Sequence, residues 1–178
     1  MHHPHPDFRS NILIIIIVVL LLLFCNTMVS AADISLGISG TINDWKLATG
    51  QDNTNEALSL TVVADTQPWY IKVRDALDDE KPGTSAGHMA EWYGSSYVTS
   101  PHVLSNPMNI AAASGTGYTA GSAISLSGSY QQIATGTTIP SPSVTIPIII
   151  TQPVVIADTN LTAGHVYRIV TTFSGGFT

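Results

Sequence analysis

The stretch Trp69 to Arg74 alternates apolar Trp69, Ile71 and Val73 with Tyr70, Lys72 and Arg74. Successive side chains of a strand point to opposite faces, so this order turns one face toward a core and the other toward water. The same period runs through Asp33 to Ile42, where Ile34, Leu36 and Ile38 alternate with Ser35, Gly37 and Ser39, and again through Leu58, Leu60 and Val62. Ile124 and Leu126 follow, then Val144, Ile146, Ile148 and Ile150, and last Tyr167, Ile169, Thr171 and Phe173. Turn clusters separate these runs at Thr49-Gly50-Gln51-Asp52-Asn53, Ser114-Gly115-Thr116-Gly117 and Ser127-Gly128-Ser129. Short strands without intervening helical periodicity predict an all-β fold, an antiparallel two-sheet β-sandwich of immunoglobulin-like or jelly-roll-like form. Pro147 and Pro153 remove ladder donors, which puts the strand around Ile148 to Ile150 at a sheet edge or at a bulge.

The N-terminus has a different character. Residues Ile12 to Phe24 are an unbroken apolar run of 13, preceded by Arg9 and followed by small residues up to Ala31 and Ala32. A helix needs about 20 apolar residues to cross a bilayer. The run and its A-x-A-like flank therefore predict a signal peptide over residues 1–32, with a retained anchor as the alternative. Cys25 does not make a lipobox, because bulky Phe24 stands where a small residue is expected. His2, His3 and His5 fall in the same segment and are read as part of its leading region rather than as a metal tract.

Residues 33–178 are then expected to form one secreted domain at the extracellular cell surface. That part holds no cysteine, so no disulfide framework supports it. Lys46, Lys72, Arg74, Lys81 and Arg168 stand against eleven Asp and Glu, a balance without the basic footprint that nucleic acid requires. Contact with a membrane is expected only through the N-terminal segment.

Two motifs suggest catalysis and fail on context. Gly83-Thr84-Ser85-Ala86-Gly87 has the G-x-S-x-G form of a nucleophile elbow, with His88 beside it. An elbow follows a buried strand and opens a helix, whereas this run follows the polar stretch Asp78-Asp79-Glu80-Lys81-Pro82. Gly115-Thr116-Gly117-Tyr118-Thr119-Ala120 matches a dinucleotide fingerprint in letters alone, since no β/α unit surrounds it. The chain is therefore expected not to be an enzyme and to need no cofactor.

Three sites of other kinds are candidates. Asp75, Asp78, Asp79 and Glu80 gather hard oxygen ligands suited to Ca²⁺, although their spacing is not that of an EF-hand and a solvated acidic turn is the better reading. Trp92 and Tyr93, with Tyr97 nearby, offer a stacking platform for a glycan, or core aromatics. Asn160-Leu161-Thr162 is a glycosylation sequon in a loop before the last strand. His88, His102 and His165 lack metal-pair spacing.

Trp45-Lys46-Leu47 reads W-x-L, and Leu60 to Asp65 followed by Trp69 to Val73 resembles the L-x-V-x-D and tryptophan strand of WxL-type cell-surface β-sandwich domains. The ending Tyr167 to Phe173 is similar to the closing strand of those domains and of secreted envelope proteins of methanogenic archaea. The closing tryptophan motif is absent, with Phe173 near its place, so peptidoglycan attachment is not implied. The resemblance implies a non-catalytic surface domain. Residues Ile34, Leu36 and Ile38 are the candidate assembly strand, which either closes its own sheet or adds to a neighbour's edge. The expected function is a structural or adhesive envelope protein whose partners are copies of itself or other envelope proteins. A carbohydrate-binding module is the alternative.

Overall fold

The computed structural model describes residues 32–76, 81, 85–140, 142–158 and 160–178. The expected signal segment lies outside the described residues except for Ala32, as do His2, His3, His5 and Cys25. Among the described residues there is no α-helix, and no helix long and apolar enough to cross a membrane.

The strands are β1 (Ile34–Ser39), β2 (Gln51–Ala64), β3 (Trp69–Asp75), β4 (Ala90–Tyr93), β5 (Ser96–Tyr97) and β6 (Asn109–Ala112). After them come β7 (Thr119–Ala120), β8 (Ile124–Ser125), β9 (Gln131–Gly136), β10 (Val144–Val154), β11 (His165–Arg168) and β12 (Thr171–Phe177). They form a five-stranded sheet in the order β1-β2-β10-β6-β8, a four-stranded sheet β12-β3-β9-β7 and a small sheet β11-β4-β5. Every pairing is antiparallel.

Alternation builds the core. Leu60, Val62, Ile110, Ile146 and Ile148 from the first sheet and Trp69, Ile71, Val73 and Ile133 from the second belong to one buried cluster. Each such side chain contributes about 1.5–3 kcal/mol when fully buried. The chain is thus nearly all β, with open antiparallel sheets sharing one core, as in a β-sandwich. Trp69 is wholly buried and its indole N–H donates to Thr138 O at 2.9 Å. Gly136 makes room for that ring, since a Cβ there would lie 2.0 Å from Trp69 Cε2.

The proline strand is not at an edge. β10 pairs with β2 on one side and β6 on the other. The expected bulge does occur, with its extra residue on β2, between Asn55 and Leu58 opposite Ile148 and Ile150. Ala113 N donates to Pro147 O, so the backbone of Pro147 faces β6 and its missing N–H would have served Ala113 O. Tyr118 takes over that role, its hydroxyl donating to Ala113 O at 2.6 Å. By the same alternation Pro153 faces the β6 side beyond Thr151↔Asn109, where the pairing has ended. A central strand therefore accommodates both prolines.

Two boundaries differ from expectation. Gln51, Asp52 and Asn53 belong to β2 rather than to a turn, because they pair with Val154, Pro153 and Gln152 of β10. The Asn53 side chain accepts from Ala48 N and donates to Ala48 O, Gln51 O and Gln152 O. The expected closing strand is two strands: β11 pairs with β4 and β12 with β3, so the chain changes sheets at Ile169 and Val170.

Candidate functional site

The small sheet separates the aromatic residues by register. Trp92 is opposite Val166 on one side and Tyr97 on the other, so these three share a face; Tyr93 is opposite His165 and Ser96 on the reverse face. Trp92 and Tyr97 meet edge to face, with centroids 5.0 Å apart at 85°. The Arg168 guanidinium carbon is 3.9 Å from the Trp92 ring centre, and the indole N–H donates to Gly94 O at 3.1 Å. Tyr97 is buried, and Trp92 is half-buried beneath the arginine. Tyr93 is 57% exposed and stacks on His165 at 4.4 Å. The three rings do not form one platform, because adjacent residues of a strand point to opposite faces.

On the Tyr93 face, Glu91 accepts from His165 Nδ1 at 2.5 Å through Oε1 and from His102 N at 3.0 Å through Oε2. The His102 backbone N–H holds the Glu91 carboxyl below its ordinary range; burial opposes this, and the His165 hydrogen bond adds to it. Nearby, burial pushes the Tyr167 hydroxyl up, with the Asp158 and Glu91 charges adding to the effect. For Asp158, burial is outweighed by three hydrogen bonds, from Ser105 Oγ, Ser105 N and Val155 N, so its carboxyl is lowered. The Glu91–His165 contact spans 74 positions of sequence, so no local pattern announces it.

A cleft of about 920 Å³ adjoins β11. Trp45, Trp92, Asp44, Asn160, His165 and Arg168 are among its lining residues. Asp44 adopts φ 51°, a conformation that Asp tolerates better than most residues. Asn160 is exposed, so the sequon is accessible.

The acidic candidate is placed only in part. Asp75 ends β3, is 1% exposed, forms an ion pair with the buried Lys81 ammonium and accepts from Gly87 N at 2.7 Å. Asp78, Asp79 and Glu80 lie outside the described residues. Among the described residues no group of three or more His, Cys, Asp or Glu is arranged to hold a metal ion. Ser85 is buried, and the chain after it passes through a turn into β4 rather than into a helix. His88 Nδ1 donates to Leu104 O at 2.7 Å.

The assembly strand has an open side. β1 pairs with β2 without a register break from Ile34↔Ala64 to Ser39↔Ser59. Asp65 N donates to Asp33 O. Hydrogen-bonded and non-hydrogen-bonded pairs alternate in an antiparallel ladder, so Asp33, Ser35, Gly37 and Ser39 direct their backbone groups to β2. The N–H and C=O groups of Ile34, Leu36 and Ile38 consequently face away from it, and among the described residues no strand pairs with them. Ile34 and Leu36 pack against the core, while Ile38 is 59% exposed.

No family model, curated protein or solved structure matches this chain.

Proposed function

We propose that the protein is a secreted, non-catalytic structural or adhesive component of the cell surface or envelope, and that it joins copies of itself or other envelope proteins through edge strands. The observation that carries this reading is the open side of β1: six residues, without charge or proline, whose outward backbone groups meet no strand among the described residues. Unpaired edges template strand addition unless charge, proline, a bulge or shortness blunts them. The far edges of the two large sheets are β8 and β7, each of two residues, and offer little to pair with. The similarity of Trp45-Lys46-Leu47 and of the Trp69 strand to WxL-type surface domains is in keeping with this role.

Residues 32–178 contain the whole described core and form a compact unit. Light scattering on that span, across a range of concentrations and with and without Ca²⁺, is the test. Mass that grows with concentration, and that falls to one chain in Ile38→Lys, is the expected result. A monomer at every concentration refutes assembly.

The cleft beside β11 favours a second reading, an extracellular carbohydrate-binding module. Trp45 offers an aromatic surface and Asp44, Asn160 and Arg168 offer polar groups, the mixture that ligand sites use for orientation and contact. Quenching of tryptophan fluorescence by members of a glycan panel is the expected sign, and a panel without response removes this reading.

A further inference from the structure

We propose that β1 pairs with β1 of a second copy of this chain, antiparallel about a two-fold axis at Leu36, with Ile34 opposite the partner's Ile38. The proposal rests on the edge-strand reading above and specifies its partner and register.

Backbone parity restricts the register first. The outward groups belong to Ile34, Leu36 and Ile38, so a hydrogen-bonded pair across the new junction must join two residues of this set. Registers that oppose an even-numbered residue to an odd-numbered one would aim N–H groups at partners whose own groups point to β2. Of the registers left, the one centred on Leu36 uses the full set: Ile34 with Ile38, Leu36 with Leu36, Ile38 with Ile34. Sliding the partner strand by two residues to either side leaves one member of the set to pair outside the strand, Ile38 with Ala32 or Ile34 with Gly40. Gly40 is a poor substitute, because its φ of 95° takes the chain out of the strand.

Side chains favour the same arrangement. The two-fold axis of an antiparallel pair stands perpendicular to the sheet, so Ile34, Leu36 and Ile38 of both copies emerge on one face. The exposed Ile38 then lies beside the partner's Ile34, whose own side chain is already packed over Gly175 of β12. A neighbouring chain would in this way cover an isoleucine left 59% exposed on the edge. Charge does not oppose the contact. The protein carries a net charge of −6, yet β1 contains no charged residue, so two copies meet without like charges on the paired strands.

Cysteine cross-linking in residues 32–178, a span that contains no natural cysteine, tests the register directly. Hydrogen-bonded partners of an antiparallel pair have Cα atoms about 5.5 Å apart, within the roughly 4.4–6.8 Å a disulfide spans. Leu36→Cys is therefore expected to give a disulfide-linked dimer under mild oxidation. Ser35 opposes Gly37 in this register, so identical cysteines at either position are offset along the strands and lie about 8 Å apart, beyond disulfide reach. Ser35→Cys and Gly37→Cys are expected to stay unlinked. Gly37 tolerates the change, since a Cβ there meets only Thr61 at 3.7 Å.

Linking at Ser35 or Gly37 instead of Leu36 overturns the register. No linking on β1, in a span whose unmodified form still assembles by light scattering, overturns the inference but leaves the proposed function standing on another surface. An unmodified form that stays monomeric overturns both. If Leu36→Cys disturbs folding, Ile38→Lys serves in its place, because that side chain is largely exposed. At least a tenfold weaker dimer is expected, and an unchanged dissociation curve overturns the proposal.

Discussion

Replacing Lys81 by methionine takes away the ammonium that faces the Asp75 carboxylate, at a place where both side chains are almost wholly removed from solvent, 0% and 1% exposed. A buried pair assembled complete is near neutral in stability, because desolvation of the two ions offsets their attraction. Removing one partner is different: the remaining charge keeps its desolvation cost and loses its counter-ion, which costs about 3–5 kcal/mol. The Gly87 N–H still donates to Asp75 at 2.7 Å and is already counted in both proteins, so it does not reduce the difference. Against a typical domain stability of about 5–15 kcal/mol, the loss is large. At about 2–4 °C per kcal/mol for a chain of this size, the thermal midpoint falls by roughly 6–20 °C. The assay is equilibrium urea denaturation followed by tryptophan fluorescence, which reports the buried Trp69. The double variant Asp75→Asn with Lys81→Met removes both charges and keeps an acceptor for Gly87, so it is expected to recover most of the loss. A Lys81→Met protein within about 1 kcal/mol of the unmodified one, or a double variant no better than the single, refutes the reasoning.

Two further changes probe the fold. Tyr118→Phe removes the hydroxyl that serves Ala113 O opposite Pro147 and is expected to cost about 1–3 kcal/mol in urea denaturation. Adding Pro147→Ala restores a backbone donor, so the pair should lose less than Tyr118→Phe alone. Glu91 has a lowered carboxyl pKa, so its stabilising effect is complete above the unfolded value near 4.5 and is lost as pH falls through the folded value. Glu91→Gln is therefore expected to flatten the loss of stability between pH 6 and pH 3, read as denaturation midpoints across that range.

Much of the architecture was legible in period-two alternation. Trp69 to Asp75 realise it without exception, each odd residue buried and each even one half-buried. The outward cations there also lie over neighbouring rings, Lys72 over Tyr70 and Arg74 over Tyr130. Alternation identifies a face but not a neighbour. It could not tell that Tyr167 and Phe173 serve different sheets, because that depends on whether β4 or β3 lies alongside. It also could not place β10 centrally: the proline rule assumes that a missing donor has no substitute, and Tyr118 supplies one from 29 positions away. Polar Gln51 to Asn53 read as a turn because their strand conformation comes from pairing with β10, not from their own preference.

Of the candidate sites, Ile34, Leu36 and Ile38 were visible as a face, but the direction of their backbone groups needed the register with β2. The aromatic group shows the opposite limit. Closeness in sequence suggested one surface for Trp92 and Tyr93, and strand geometry sends them to two, while Arg168 arrives over Trp92 from a strand more than 70 positions later.

The unequal flanks of the two large sheets limit the protein as a building block. β1 and β12 lie on the same side, where Ile34 meets Gly175, and the opposite side ends in the two-residue strands β8 and β7. That flank carries two long edges, the six residues of β1 and the seven of β12. The proposed two-fold junction is closed, so pairing through β1 alone would stop at two chains. Any wider assembly built on that junction would have to extend through surfaces other than β1, and β12 is the other long edge among the described strands.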